Sequence, residues 1–600
     1  MGNAYASFLL GQIDTATVNT VQDPQLRRTA WGLYLQDTWK VTRKLTLDYG
    51  LRWDLENYGH EIHNRWVEFG PNTPNPTVNN IPGALVYEGY GSGRCNCSFT
   101  NTYPFAVGPR LGAAYQLDSK TVLRGGFGVS YGPIQSFYYI TNAAILGVGF
   151  NQLTFNNPGG AFGVPAATLS GGLHYSPSLL TTASLNPGLF PASPTVLGNP
   201  NFYIDPNAAR PSRILQGSFG LQREVMRDLV VEANYVANRG AWETATNSAA
   251  GSGSSNSLLG GLNTPNPAVF ARYGIDPTTA SGQATLSSTL GSTLGKASGV
   301  PLPYPTFPTT STVLQALRPF PQVNGSVTVY GAPLGDSWYN SLQAKVTKRY
   351  AHGLSLSSAF TWSKTEANPA GTVNNIFNRA IQKGLSPNDI PFIFNTGFSY
   401  ELQKYRMISN KYLQSAVAGW NIGGVFLYSA GAPIPVPTSS NTQSNWYGQN
   451  TLENRVQGQP LYLQDPNCHC INPTTQFILN PAAWANPAPG QWGTSAPYYS
   501  DYRYERRPNE SMNLGRTFRF RERMSLQIRA EFFNILNRTY LNNPTTTAPQ
   551  GTRSCTNGTI AAGTNSCVAG GTSPSGFGAI SYTSLAAQPR NGQIVARFTF

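Results

Sequence analysis

Hydrophobic and polar residues alternate along many short stretches of this 600-residue chain. Between Leu45 and Trp53, every second residue is leucine, tyrosine or tryptophan, and the residues between them are polar or glycine. Successive side chains of a β-strand point to opposite faces of its sheet. The stretch therefore predicts a strand with one apolar and one polar face.

The alternating stretches come in pairs joined mostly by short turns, which predicts antiparallel hairpins. The pattern predicts six pairs and a final single strand, the first strand spanning about 29–40 and the last 592–600. The alternating residues of the six pairs lie within 31–53, 111–131, 215–235, 342–362, 392–428 and roughly 510–532. Each stretch has about 10–13 residues, close to the ~9–11 that a tilted strand needs to cross a bilayer.

The links between the pairs are much longer than the turns within them, and they are rich in Gly, Pro, Asn, Ser and Thr. They span roughly 55–106, 133–210, 241–336, 365–388, 430–509 and 537–591. Loops of this length argue against a compact soluble domain, whereas outer-membrane barrels combine short periplasmic turns with long extracellular loops. The pattern favours an all-β, antiparallel transmembrane β-barrel over a soluble sandwich whose aromatic residues fill a core.

Strand direction indicates how many strands a complete barrel would need. If the short turns are periplasmic, the strands at 29–40 and 592–600 both run toward the periplasm, and a barrel with both ends there needs an even number of strands. The thirteen strands counted so far require at least one more. We expect it either at Asn3–Gln12 or in a larger barrel whose beginning is missing, and the lack of an export signal favours truncation.

Composition narrows the class further. Only 11% of the residues are charged, against roughly 25% in an ordinary soluble domain, and the aromatic content of 12% argues against disorder. No apolar run is long enough for a membrane-spanning helix. The net charge is +14, but the basic residues are scattered and no nucleic-acid-binding motif accompanies them, so we expect no nucleic-acid partner.

Candidate chemistry is sparse. We find no catalytic, cofactor or metal motif, and expect no enzyme activity. The six cysteines form three close pairs in predicted extracellular loops, Cys95/Cys97, Cys468/Cys470 and Cys555/Cys567. An even count in an oxidising compartment predicts disulfides. We expect Cys555 to pair with Cys567, whereas the two C-x-C pairs either bridge locally, bridge each other or, with His469, hold a soft metal.

Several blocks of the chain resemble TonB-dependent outer-membrane receptors, and most closely their Oar-like branch, which carries an N-terminal carboxypeptidase-regulatory-like domain. The blocks are WGLYLQDTWKVTRKLTLDYGLRWD (31–54), 108–132, 339–364, RAEFFNILNR (529–538) and the ending ARFTF (596–600). The resemblance implies a 22-stranded barrel, an N-terminal plug and a TonB box. We find none of these N-terminal parts, so we expect residues 1–600 to form an N-terminally truncated barrel domain, with about 13–14 of a probable 22 strands.

The alternation also places polar residues on the lumen side of the predicted barrel. The candidates are Asp48, Arg52, Arg124, Glu232, Lys345, Arg529 and Glu531. The resemblance implies contact with plug and substrate, and the alternative is that they are wall charges paired with neighbours or facing water. It also implies that the final aromatic residues, Phe598 and Phe600, form the signal read by the barrel-assembly machinery.

We therefore expect a receptor barrel in the outer membrane of a Gram-negative bacterium. Its expected function is TonB-coupled uptake of a scarce ligand (an oligosaccharide, peptide or metal chelate) selected by the long loops. Expected partners are outer-membrane lipid and lipopolysaccharide, the barrel-assembly machinery, the TonB complex through the missing N-terminal region, and an unknown extracellular ligand. The alternative is a structural or adhesive barrel without energised transport.

Overall fold

A computed structural model provides the coordinates of most of the chain. It describes residues 4–19, 26–62, 64, 66–91, 93–134, 152–156, 164–174, 195, 197, 202–244, 261–370, 374–403, 412–413, 417–441, 446–448, 450–521, 524–560, 566–568, 572–583 and 589–600. Among these residues, no helix is both long enough and apolar enough to cross a membrane.

One antiparallel sheet of 14 strands dominates the structure. Thirteen strands follow one another across the sheet in chain order, which confirms the predicted hairpins and final strand. The thirteen are β1 (Ala30–Lys40), β2 (Leu45–Glu56), β3 (Ala106–Gln116), β4 (Thr121–Tyr131), β5 (Arg213–Met226), β6 (Leu229–Glu243), β7 (Gly335–Ala351), β8 (Leu354–Asn368), β9 (Phe392–Glu401), β10 (Trp420–Ser429), β11 (Asn509–Arg521), β12 (Met524–Phe533) and β13 (Asn591–Thr599). The fourteenth, Gly384–Leu385, pairs with β8. Within the described ranges, no ladder joins β1 to β13.

The strands differ in length more than the sequence predicts. β7 has 17 residues, and β6 and β8 have 15 each, more than the 10–13 expected. The additional residues of β7 and β8 lie at the loop end, where Asp336 pairs with Asn368. This part of the sheet therefore extends into the long loops.

The predicted strand at Asn3–Gln12 is wrong. Asn3 lies outside the described residues, Ala4–Leu9 forms helix α1, and Gln12–Ile13 pairs with Ala167–Thr168 outside the large sheet. Three of its apolar residues, Phe8, Leu9 and Leu10, are consecutive. The segment therefore lacks the alternation that gives a sheet strand one apolar face.

The turn between β7 and β8 shows how the hairpins close. His352 and Gly353 both have left-handed backbones, with φ of 54° and 82°. Two such residues fit the tight turn whose twist matches that of the flanking strands. A Cβ atom at Gly353 would lie 2.4 Å from the Glu401 carbonyl oxygen, so this position requires glycine.

Cross-strand register keeps the two faces of the sheet distinct. Tyr235 of β6 lies opposite Leu342 of β7, which lies opposite Trp362 of β8, and Phe392 of β9 continues the row. In the next row, Asn234 of β6, Gln343 of β7 and Thr361 of β8 lie side by side. The sheet therefore has one predominantly apolar and one predominantly polar face, and the polar face also carries apolar side chains on β9 and β10, where Ile393, Leu427 and Val425 lie.

The long connections lie at one end of the sheet, and we call their described residues (within 57–105, 132–212, 244–334, 369–391, 430–508 and 534–590) the loop layer. They contain four helices, α2 (Pro267–Arg272), α3 (Ala280–Ser287), α4 (Thr293–Ala297) and α5 (Val313–Ala316). They also contain three 3-10 helices, Pro76–Val78, Arg379–Gln382 and Pro481–Ala483. Paired short strands of the layer include Val67–Asn75 with Ile81–Tyr87, Phe202–Ile204 with Thr328–Tyr330, Pro433–Pro435 with Tyr498–Arg503, Asn454–Arg455 with Trp484–Ala485, Ser554–Thr556 with Thr572–Ser575, and Thr559–Ile560 with Cys567–Val568.

Most of the buried hydrophobic side chains lie in the loop layer rather than in the sheet. One cluster joins Val78, Phe270 and Trp446, which come from three different loops. Another joins Trp484 to Phe577 across the last two loops. The long loops therefore pack against one another around shared cores.

Candidate ligand-binding site: the polar face and the loop layer

The register places all seven predicted lumen residues on the polar face of the sheet. Arg52 lies opposite Tyr34 and Gly108, and Glu232 lies directly opposite Lys345. The same face of the sheet carries Asp48, Arg124, Arg529 and Glu531. Their roles as substrate or plug contacts remain predictions.

The first of three groups among these residues lies on β2 to β4. Arg52 Nη2 is 2.7 Å from Asp54 Oδ1, and the Thr38 hydroxyl donates to Asp48 Oδ1 at 2.7 Å. Arg124 lies opposite the small residues Ala114 and Gly220. Asp54 and Asp48 thus each have a partner within the sheet.

A cavity of about 620 Å³ lies beside this group, lined by β1, β2 and β3. Its walls include Asp48, Arg52 and Arg110, and Gly50 and Gly112 leave room between them. Arg110 was not among the predicted lumen residues. The signal was present, because Arg110 alternates with the apolar residues that follow it in β3.

The other two groups lie further along the sheet. Glu232 and Lys345 face each other across β6 and β7, and Gln222 donates to Glu232 Oε1 at 3.3 Å. Arg529 Nη2 lies 2.5 Å from Glu531 Oε1 on β12. β7 and β12 are five strands apart, about 24 Å measured along the sheet at ~4.8 Å per strand, so the seven residues form three groups along the sheet rather than one contact network.

The loop layer presents an aromatic cluster formed by residues from two loops. The Phe377 ring lies 5.6 Å from Tyr447 and 6.1 Å from Trp492, measured between ring centroids, at steep angles. Phe377 remains 46% exposed. Tyr447 and Trp492 thus hold one accessible aromatic ring in place, and such a ring can stack on a sugar or another planar group.

Buried carboxylates mark the interior of the loop layer. Glu68 Oε2 accepts from the Ile204 amide at 2.9 Å, and Glu88 Oε1 accepts from the Phe99 amide at 3.2 Å. Burial raises the pKa of Glu68 and of Glu88. Burial also raises the pKa of Glu453 to about 7. Desolvation disfavours the charged form of each group.

The six cysteines form three disulfides, all in the loop layer. Cys95 is joined to Cys97, Cys468 to Cys470, and Cys555 to Cys567. Both C-x-C pairs therefore bridge locally. Among the described residues, no group of three or more His, Cys, Asp or Glu side chains is arranged to hold a metal ion.

The predicted assembly signal lies at the end of the sheet path. Phe598 is in β13 opposite Leu526, and its ring stacks on Phe600 with centroids 6.1 Å apart. Phe600 is 90% exposed. Both rings are exposed, and their role as the assembly signal stays a prediction.

An antiparallel sheet with one apolar face, short turns at one end and long folded loops at the other defines a membrane β-barrel-type protein. The profile of the outer membrane beta barrel domain family matches residues 1–593. The chain therefore belongs to this family, and its location is the outer membrane of a Gram-negative bacterium.

Solved structures of outer-membrane receptors show a distant similarity. The ferric-catecholate import receptor Fiu from E. coli K12 is 10% identical, with a TM-score of 0.34 over 96% of this chain and 45% of Fiu. The alcaligin receptor FauA from Bordetella pertussis is 10% identical, with a TM-score of 0.30 over 84% of this chain and 43% of FauA. The pyoverdine receptor FpvA from Pseudomonas aeruginosa is 9% identical, with a TM-score of 0.36 over 87% of this chain and 40% of FpvA. The chain spans less than half the length of these proteins, and no curated protein matches it.

Proposed function

We propose that this chain is the barrel part of an outer-membrane receptor that takes up a scarce ligand by TonB-coupled transport. The observation that carries the proposal is the loop layer, whose loops share hydrophobic cores and hold Phe377 as an accessible ring. A preformed binding surface reduces the entropy lost when a ligand binds. The resemblance of the strand blocks to TonB-dependent receptors supports the same function.

The polar face of the sheet supplies the path behind that surface. Charged and hydrogen-bonding side chains, among them Arg52, Arg124 and Lys345, line it at intervals. A polar lumen suits a hydrated ligand such as an oligosaccharide, a peptide or a metal chelate. The proposed role is binding and passage, and it needs no catalytic group.

We also propose that further strands complete the barrel and that a plug and a regulatory-like domain belong to the whole receptor. The plug and the regulatory-like domain rest on the resemblance to TonB-dependent receptors, and the support for further strands is that, in the described part of the chain, neither β1 nor β13 has a neighbour on its outer edge. An unpaired edge exposes backbone hydrogen-bonding groups that lipid cannot satisfy.

The test compares cells that make the native receptor with cells that lack it. The disappearance of oligosaccharides, peptides and ferric chelates from one defined medium is followed by mass spectrometry, with and without a protonophore. We expect at least one compound to disappear faster with the receptor, and the protonophore to abolish the difference.

A loop variant connects that uptake to the proposed surface. Phe377→Ala removes the accessible ring and should slow uptake several-fold, whereas Tyr90→Ala removes an exposed aromatic from another loop and should not. If no compound depends on the receptor, but attachment of cells to surfaces falls without it, the protein is an adhesive barrel and the transport proposal is wrong.

A further inference from the structure

A groove of about 570 Å³ lies on the apolar face of the sheet, where β6, β7 and β8 meet the loop layer. Its floor is formed by Tyr235, Leu342 and Trp362, which lie side by side in one cross-strand row. Trp362 is 63% exposed. Leu385 and Pro391 of the loop layer line the upper end of the groove.

Two arginines lie above that floor, toward the loops. Arg239 Nη2 is 3.0 Å from Asp336 Oδ1, and Arg379 Nη2 is 3.3 Å from Asp336 Oδ2. Asp336 is on β7, three rows of the same face beyond Leu342 toward the loops, and its side chain lies on the apolar face of the sheet. The Asp336 carboxylate therefore forms ion pairs with two guanidinium groups.

Two lysines complete the arrangement beside them. Lys364 Nζ is 2.9 Å from Glu366 Oε1, and Lys383 Nζ is 4.0 Å from Glu366 Oε2. Lys383 also lies over the Trp338 ring, 4.2 Å from its centroid, and the Arg239 guanidinium carbon lies at the same distance from that ring. The two lysines also share one carboxylate.

We call these four basic residues (Arg239, Lys364, Arg379 and Lys383) the cationic rim. Four cations share two carboxylates, so the rim and its acidic partners carry a net charge of +2. The basic side chains are 45–63% exposed, so another anion can reach them. A phosphate would meet several donors at once, and hydrogen bonds between charged groups are the strong ones.

We propose that the groove and the cationic rim bind one phosphorylated lipid of the outer leaflet, with acyl chains on the Trp362 floor and phosphates at the rim. On this face an apolar row is followed, toward the loops, by basic residues, and this order matches acyl chains followed by headgroup phosphates. Lipopolysaccharide is the expected lipid. The proposal does not depend on transport.

The test uses the full chain purified in detergent and freed of lipid, with deep-rough lipopolysaccharide as the probe. The variant Lys364→Gln/Lys383→Gln removes two rim charges and leaves both arginines. The matched control, Lys348→Gln/Arg349→Gln, removes two charges near the opposite, short-turn end of β7. Heat-modifiable electrophoretic mobility verifies that each variant is folded.

We expect the rim variant to bind about 30-fold more weakly than the native protein, which is about 2 kcal/mol at ~1 kcal/mol per basic residue near an anionic surface. The control should bind almost normally, and dephosphorylated lipopolysaccharide should bind the native protein as weakly as the intact lipid binds the rim variant. Equal binding by rim variant and native protein, or equal losses in rim variant and control, would overturn the proposal. Displacement of the lipid by millimolar inorganic phosphate would assign the rim to a free anion instead and would also overturn it.

Discussion

The spanning sheet and the loop layer use apolar residues in opposite ways. In the sheet, Leu35 is 79% and Phe219 61% exposed, whereas Trp484 is 2% and Phe270 0% exposed in the loop layer. The apolar face of the sheet meets lipid and needs no second protein layer, whereas the loops meet water and must bury their apolar side chains against each other. The stability of the sheet therefore depends on the membrane, and that of the loop layer on internal packing.

The largest effect should come from the end of the sheet path. Deleting Phe600 removes the accessible terminal ring and should leave most of the protein unassembled if that ring is the assembly signal, as measured by the fraction in the outer membrane with heat-modifiable mobility. Phe600→Tyr keeps an aromatic ring and should assemble normally. Unchanged assembly after the deletion would contradict the assignment of the signal.

A mutation that leaves a cavity in the loop layer should affect the loop layer and not the sheet. Trp484 packs against Tyr502, with ring centroids 5.4 Å apart, and Tyr499 lies beside it. Trp484→Ala should destabilise the loop layer by about 3–5 kcal/mol and leave sheet assembly intact. Protease sensitivity of the loops and heat-modifiable mobility measure the two regions separately, with exposed Tyr90→Ala as the control. Loss of both properties together would mean that sheet and loops fold as one unit.

Neighbouring positions of one strand test the two faces of the sheet. Phe360 lies on the apolar face in the middle of β8, between Ala344 and Phe394, and Thr361 lies on the polar face. Phe360→Lys should cost roughly 2–4 kcal/mol in reversible folding into lipid vesicles, as expected for lysine at the bilayer midplane. Thr361→Lys should cost far less. Similar costs at both positions would refute the assignment of the faces.

The smallest effect should be a pH dependence confined to the loop layer. Glu453 has an ordinary pKa of 4.5, which burial raises to about 7 in the folded protein, so between these values the folded state holds a proton that the unfolded state releases. Stability should therefore fall as the pH rises from 5 to 8, by on the order of 2 kcal/mol. Thermal melting of the loop layer at both pH values measures this difference. In Glu453→Gln it should largely disappear, and a pH dependence of the same size in the variant would exclude Glu453 as its source.

Much of the sheet could be predicted because each strand has apolar residues on the side that faces lipid and polar residues on the other side. The lipid-facing side of β2 is apolar at every second residue and the other side is polar, so a local pattern identified the strand, its faces and the positions of Asp48 and Arg52. Arg110 was not predicted as a lumen residue, although its alternation with the apolar residues of β3 places it on the polar face. The segment Asn3–Gln12 does not form the expected strand, and its apolar residues do not alternate with polar ones.

The loop layer could not be predicted in the same way. Its cores join residues far apart in the chain, such as Val78 with Trp446, and no periodicity links such partners. The partners of the C-x-C cysteines could not be derived from the sequence. The contact of Phe377 with Tyr447 and Trp492 could not be predicted from it either. These contacts depend on which loops lie side by side, and that follows from the order of the strands.

The class of protein, the thirteen strands of the main path and the two faces of the sheet follow from local sequence pattern, because a bilayer imposes a repeating constraint on every strand. Which side chains meet depends on the folded structure. It separated the seven polar-face residues into three groups and gathered four basic residues above the Trp362 row. It did so because pairing register and loop packing place distant residues together, and neither leaves a local pattern in the chain.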